Sequence, residues 1–516
     1  DGSTIYPSSL LQPTPRYDTG IFFSSGQDPM RKDFLELLLR VFDREGLKLL
    51  PLAQFSTPLP ALERAIAEDG NAGVGIELIG RDGRSWRETH SPARGLAPYY
   101  NPLNPRVQQA IVDVVDELVG RCHSHPSFAG LAVELGSAGY LQLLGSEWGV
   151  DDDTIARFEQ ATGLQIPAGT GSDRFSRRCE VLTTTLAAQW NRWRCEELGR
   201  FHRRLAECVT RRNARARFVL AGRGLLNGEN SVDDVDQALR TGQRLETLLT
   251  ARGLDFSQYR DAPGIMVLRP AQWRAPDSRL IHALDDSLNT SSSLNALFAN
   301  CRLGSLFFHI PRECRVAEFD DDSPWQPAYT WLASQASVAG IENRRRYVQA
   351  LAAGDAQMIF DGGWLIPMGQ EETTRRLRRV VTGLPAVPFH LSKSQSQPIT
   401  VRIARQEGET WIYAVNHVSQ AAHVGLGLSC GVDVGGEILP EQDPVKLNSA
   451  PAGRAGSFAR FQLEPYGIWA CRLRDGNVTV EAVEVALPEA SQQALAARIR
   501  RFDERLALAR DDSRFK

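Results

Sequence analysis

Carboxylates at the ends of apolar strands are the residues of this 516-residue chain whose type and position could do chemistry. The foremost is Glu134, which follows Leu131-Ala132-Val133 and precedes Leu135-Gly136-Ser137-Ala138-Gly139. Burying a carboxylate behind three apolar strand residues is costly unless it has a partner or a task. The small residues after it leave room for a ligand to approach. One such group can serve as general acid, general base or nucleophile. A second carboxyl group would make an acid–base pair, and the candidates are Asp361, then Asp320, then Glu229. Asp361 lies in Phe360-Asp361-Gly362-Gly363-Trp364, and Asp320 in Glu318-Phe319-Asp320-Asp321-Asp322-Ser323-Pro324. Acidic residues beside Gly, Ser and Pro are also ordinary loop chemistry, so each competes with a solvated-loop reading.

Around these carboxylates the expected strand ends supply aromatic faces together with amide, guanidinium and imidazole groups. They are Tyr100 and Asn101, Tyr140 and Gln142, Glu147 and Trp148, Arg223, Gln272 and Trp273, His309, and Trp364, with Glu229 as a further polar lining residue. Each aromatic alone fits a core position equally well; their recurrence after strands is what points to a binding cleft. Other chemistries have less support. His123 and His125 form an HxH pair with no Cys or carboxylate at ligand spacing, so no metal is expected. Gly222-Arg223-Gly224 is too short for a dinucleotide fingerprint, and no GxSxG elbow occurs, so neither a cofactor nor a serine triad is expected.

Composition narrows the partners. Lys plus Arg (59) nearly balance Asp plus Glu (62), with the signs interspersed, which argues against nucleic acid and favours a neutral ligand. No apolar run approaches the roughly 20 residues of a membrane span, and residues 1–30 lack the pattern of a signal peptide. The chain starts with Asp1 in what reads as the end of an element, so a preceding segment is expected and localisation stays open. The eight cysteines (122, 179, 195, 208, 301, 314, 430 and 471) include no CxxC pair and read as buried free thiols.

The elements that would position these residues alternate between strand and helix patterns up to about residue 390, the signature of an α/β fold with parallel strands. Residues 33–45 carry Phe34, Leu37, Leu38, Val41 and Phe42 on one helical face and lead through Gly46 into an apolar strand at 47–55. A second helix starts at Asn104-Pro105, with Val107, Ile111, Val114, Val115 and Leu118 on one stripe, and precedes a strand at 128–135. Further strands are expected at 97–101, 217–221, 264–268, 305–309 and 357–360, about seven in all. Residues 151–216 read as a helical excursion of the kind that shapes a site's mouth. After the polar stretch 392–398, short alternating strands predict a β-sandwich ending near Arg474. From Pro488 onward Leu495, Ile499, Phe502 and Leu506 form a helical stripe in need of a partner surface.

Tyr6-Pro7-Ser8 with Leu11 and Pro13, Thr19-Gly20, Gly26, Asp28-Pro29, and Asn101-Pro102 followed by Asn104-Pro105-Arg106-Val107 are stretches that together resemble bacterial family-10-like glycosyl hydrolases. Residues 129–136 fall where that family has an Asp-Gly-x-x-x-Asp-Asp-Tyr strand end, but with Ala129, Glu134 and Leu135 at its acidic positions. Arg269-Pro270-Ala271-Gln272-Trp273 stands where the family shows Pro-Gln-x-x-Trp. The resemblance runs through residues 1–390; Val415-Asn416 and Leu463-Glu464-Pro465-Tyr466 support the sandwich. It implies a (β/α)8 TIM barrel over 1–390 whose first strand precedes Asp1, a β-sandwich over 391–475, and a linker and helix over 476–516. It also implies cleavage of an oligo- or polysaccharide by a carboxylate pair at the barrel's C-terminal face, and makes export or a cell-surface location plausible. Two rivals stand beside this reading: a non-catalytic carbohydrate-binding protein on the same scaffold, and a structural or assembly protein acting through its sandwich and terminal helix.

Overall fold

The computed structural model describes residues 4–11, 33–69, 75–89, 100–136, 139–167, 171–225, 245–260, 262, 264–270, 298, 301–309, 340–363, 371–449 and 456–511. The chain divides into two compact units, Asp1–Leu306 and Phe307–Lys516.

The first unit is built on parallel strands. Helix α1 (Phe34–Arg44) is capped by Asp33, whose carboxylate accepts from the Glu36 amide at 2.9 Å. Strand β1 (Leu52–Ala53) follows, then α2 (Pro60–Asp69), the short α3 (Trp86–Thr89) and α4 (Pro105–Cys122). In α4, Asn104 caps the first turn and Pro105 occupies its start, while Val107, Ile111, Val114, Val115, Leu118 and Val119 are buried along one stripe. Strand β2 (Gly130–Gly136) leads to α5 (Asp152–Thr162), α6 (Asp173–Thr183) and the 26-residue α7 (Ala187–Arg212), which packs on both α4 and β3 (Arg217–Gly224). After α8 (Leu245–Ala251) come β4 (Ile265–Pro270) and β5 (Leu303–His309). These five strands lie side by side in the order β1-β2-β3-β4-β5, every pair parallel. Gly130 is required where β2 begins: φ is +139° and a Cβ there would lie 1.9 Å from the Arg217 carbonyl oxygen.

Two strand expectations are corrected. The run at 47–55 forms a ladder only at Leu52–Ala53, with a single parallel bridge from Leu49 to Phe128. Because β1 pairs directly with β2, no strand lies between them. Of residues 97–101 only Tyr100 and Asn101 are described, and Tyr100 makes one antiparallel bridge to Glu77 instead of joining the parallel ladder. A neighbouring polar network pins Tyr100 there, as the next subsection shows. Among the described residues, therefore, the parallel ladders connect five strands, and closure into an eight-stranded barrel is not among the described features.

In the second unit, α9 (Arg345–Gly354), β6 (Met358–Gly363) and α10 (Glu371–Gly383) precede two antiparallel sheets. One has the order β12-β11-β15-β9-β8-β7, comprising Asp443–Pro444, Gly436–Leu439, Ile468–Leu473, Glu409–Asn416, Ile399–Gln406 and His390–Leu391. The other has the order β13-β14-β10-β16, comprising Leu447–Ser449, Ser457–Leu463, Ala422–Leu428 and Val480–Ala486. Ile399, Val401, Ile412 and Ala414 of the first sheet share one core with Val424, Leu426, Ala459 and Leu463 of the second. The opposite face of the six-stranded sheet, through Tyr413 and Val415, meets Tyr347, Val348 and Leu351 of α9 and Leu377 and Val380 of α10. The last strand lies beyond the sandwich end expected near Arg474, inside the stretch read as linker. A 23-residue helix, α11 (Glu489–Asp511), follows it.

Candidate active site

Alternation along β2 sends Leu131, Val133 and Leu135 into the core shared with the helices, and Ala132 and Glu134 to the opposite face. The neighbouring strands keep the same parity. Phe218 and Leu220 of β3, and Ile265 and Val267 of β4, join the helix-side core; Val219, Ala221, Met266 and Leu268 do not. Register turns this into rows: Glu134 stands across from Ala221, Ala221 from Leu268, and Leu268 from Gly304. The row beneath is Leu52, Ala132, Val219 and Met266. Glu134, 8 % exposed, is thus a carboxylate set among small and apolar residues near the C-terminal ends of parallel strands. It has polar or electrostatic partners, as does the buried Arg269 one residue beyond Leu268. Burial pushes the Arg269 guanidinium down to about 10, still fully charged at neutral pH, and its charge lies 5.9 Å from the Phe298 ring centre.

The same alternation explains Leu135. Its side chain is fully buried on the helix side, so the leucine takes no carboxylate away from the face that Glu134 occupies. Leu135 therefore leaves open which other residue could bring a carboxyl group to that face. Asp361 lies within β6 of the second unit, where the backbone is described but the side chain is not. Arg223 in β3 and His309 in β5 are described to the same extent. Asp320, Glu229, Gln272, Trp273 and Trp364 lie outside the described residues.

Four of the remaining expected lining residues, Tyr100, Asn101, Tyr140 and Trp148, are engaged by protein. Tyr100 is fully buried; its hydroxyl accepts from the Leu59 amide at 3.0 Å, donates to Glu63, and its ring meets Tyr140 edge-on at 5.0 Å. The Tyr140 hydroxyl donates to the Thr57 carbonyl at 2.8 Å. Asn101 donates to Asp151 at 3.1 Å and to Thr154 at 2.9 Å. Trp148 packs against Trp86, ring centres 5.3 Å apart. Tyr100, Asn101, Tyr140 and Trp148 are thus buried and engaged in packing or hydrogen bonds within the protein. Glu147 is exposed. Gln142 is buried with its Oε1 unpartnered.

Two polar constellations escape the sequence reading. Arg87 forks onto Glu63 at 2.8 and 2.9 Å and reaches Glu77 through Nε at 2.7 Å. Burial raises the Glu77 carboxyl above its usual range, and the guanidinium opposes this. The second is buried beneath the segment that follows β2. His202 of α7 sits between the Tyr259 hydroxyl, 2.6 Å from Nδ1, and the Leu141 carbonyl, 3.1 Å from Nε2. The carbonyl can only accept, so Nε2 carries the proton and Nδ1 accepts from the tyrosine. Desolvation lowers this imidazole to about 4 and keeps it neutral. Arg194, fully buried nearby in the same helix, donates to the Gly145 carbonyl at 2.6 Å. The local signal for the second constellation is Arg194 and His202 on the otherwise apolar buried face of α7.

No family model matches this chain, and no curated protein matches it in sequence. Among solved structures, it is similar to a GH27 β-L-arabinopyranosidase from Geobacillus stearothermophilus in complex with arabinose, at 10 % identity and TM-score 0.39, over 92 % of this chain and 85 % of that one. An α-amylase from Geobacillus thermoleovorans complexed with acarbose is similar at 12 % identity and TM-score 0.40, covering 86 % and 80 %. A debranching enzyme from Nostoc punctiforme follows at 13 % identity and TM-score 0.39, covering 91 % and 84 %. These TM-scores are too low to establish a shared fold.

Proposed function

We propose that this protein is a glycoside-hydrolase-like enzyme that cleaves an oligo- or polysaccharide, with its parallel strands forming part of a (β/α)8 barrel and Glu134 as one of two reacting carboxyl groups. The observation that carries the reading is the position of Glu134: buried, near the C-terminal end of a parallel strand, on the face turned away from the helices, beside Ala221. Strand ends of that kind converge on one cavity in barrels, and a carboxylate kept there is expensive unless it acts. The residue-level resemblance across 1–390 to family-10-like glycosyl hydrolases adds to this. Asp361 is the first choice for the second carboxyl and Asp320 the next, with Arg223, Gln272, Trp273, His309 and Trp364 as sugar-binding groups. Glycosidic hydrolysis engages two carboxyl groups about 5 to 9.5 Å apart, one protonating the leaving oxygen and the other attacking or activating water. Screening labelled polysaccharides for both binding and product release, with wild type beside Glu134→Gln, tests the proposal.

A second reading, carbohydrate binding without cleavage, is favoured by one feature: the face bearing Glu134 is otherwise apolar in the rows through Ala132, Val219, Ala221, Met266 and Leu268. Sugar retention with no product from any polysaccharide would select it.

A further inference from the structure

Helix α11 exposes an apolar stripe that no described residue covers. Leu495, Ile499, Phe502 and Leu506 are 39 %, 54 %, 64 % and 42 % exposed. From Glu489 to Ala507 every residue is exposed except Ser491 and Ala497, which are partly so. In proteins most helical stability comes from packing an apolar face, so a partner surface is expected. The stripe advances by four, three and four residues, with Gln492 and Ala509 continuing it on either side. That strict 3–4 spacing makes a narrow seam, the kind that fits a second helix of the same period.

We propose that two copies of this chain associate through α11 as a parallel two-stranded coiled coil. With Ile499 and Leu506 at a positions and Leu495 and Phe502 at d positions, one a residue is β-branched and one d residue is leucine, the combination that favours two strands. Arg498 is then a g residue and Asp503 the e residue of the next heptad. In a parallel pair each g faces the following e of the other helix, so Arg498 of each copy meets Asp503 of the other, twice per dimer. An antiparallel pair would set Arg498 against Arg505 instead. The parallel arrangement carries one unfavourable pair, Arg505 against Arg510, at the far end of the seam. A membrane surface fits less well, because Asp503 and Glu504 directly follow Phe502 and a helix lying on anionic lipid wants a broader apolar face with a basic fringe.

Sedimentation velocity of the full chain across the micromolar range tests this. Wild type is expected to dimerise, and Ile499→Asp or Phe502→Asp to weaken dimerisation by about 30-fold or more, since each removes a seam anchor twice over. Both residues are exposed, so at concentrations where wild type is monomeric thermal unfolding of the variants should match it. Arg498→Glu and Asp503→Arg should each weaken the dimer alone. An equimolar mixture of the two should restore it, because both cross-pairs become attractive. A wild type that stays monomeric, a dimer indifferent to Ile499→Asp, a mixture that fails to restore pairing, or a monomer that instead sediments with phosphatidylserine vesicles through Phe502 would each overturn the proposal.

Discussion

Glu134 faces Ala221 across neighbouring parallel strands, so a buried carboxylate has a methyl group as its register partner on β3. The small residue is what gives the carboxylate space. Ala221→Leu is therefore expected to crowd Glu134 and lower any hydrolysis rate, while costing about 1–3 kcal/mol of stability from overpacking. Enzyme assay beside urea unfolding checks it; full activity in Ala221→Leu would show that this face is not the working one.

Two buried groups should tilt stability against pH in opposite senses. Burial lifts the Asp151 carboxyl from its ordinary 3.8 to about 6, so the folded chain takes up a proton before the unfolded chain does. Its contribution grows as pH falls from about 6 toward 3.8 and is lost as pH rises through that window. His202, lowered from 6.5 to about 4 mainly by burial, does the reverse: the unfolded chain protonates first, and stability is lost as pH falls from 6.5 toward 4. Relative to wild type, Asp151→Asn should lose the gain at acidic pH and His202→Gln should lose the penalty. Urea unfolding at a series of pH values between 4 and 7 reads both; difference curves that stay flat would contradict these assignments.

Tyr100→Phe removes the hydroxyl that satisfies the Leu59 amide and binds Glu63. A cost of about 1–3 kcal/mol is expected from the orphaned buried donor. Sugar binding should be unchanged, because the ring is covered. A variant that loses carbohydrate affinity at unaltered stability would return Tyr100 to the site.

Arg87→Met strips the shared cation from Glu63 and Glu77. Arg87 is partly exposed, so the expected loss is about 1–3 kcal/mol, below that for a fully buried pair. The loss should be largest at neutral pH and shrink as acid protonates the two carboxyls. A loss independent of pH would argue against the ion network as its origin.

Much of the positioning framework is legible in the sequence. Asn104-Pro105 and the stripe from Val107 to Val119 mark α4, and Leu131-Ala132-Val133 marks the strand that carries Glu134. The seven-residue strand Val480–Ala486 is not legible by alternation: its polar residues Glu481 and Glu484 stand three apart, and its pairing with Ala422–Leu428 shifts register between Gly427 and Leu428. The role of Tyr100 and Asn101 is not legible locally. Their partners Glu63, Asp151 and Thr154 are distant in sequence, and aromatic-then-amide after an apolar run fits a strand end and a buried helix lead-in equally well. Leu135 reads as a lost carboxylate until alternation places it on the helix side.

The most direct measurement is hydrolysis of a polysaccharide identified in the screen, comparing wild type with Glu134→Gln at matched fold stability. The account predicts a rate lower by about two to four orders of magnitude, with sugar binding retained. Equal rates in the two proteins would contradict it.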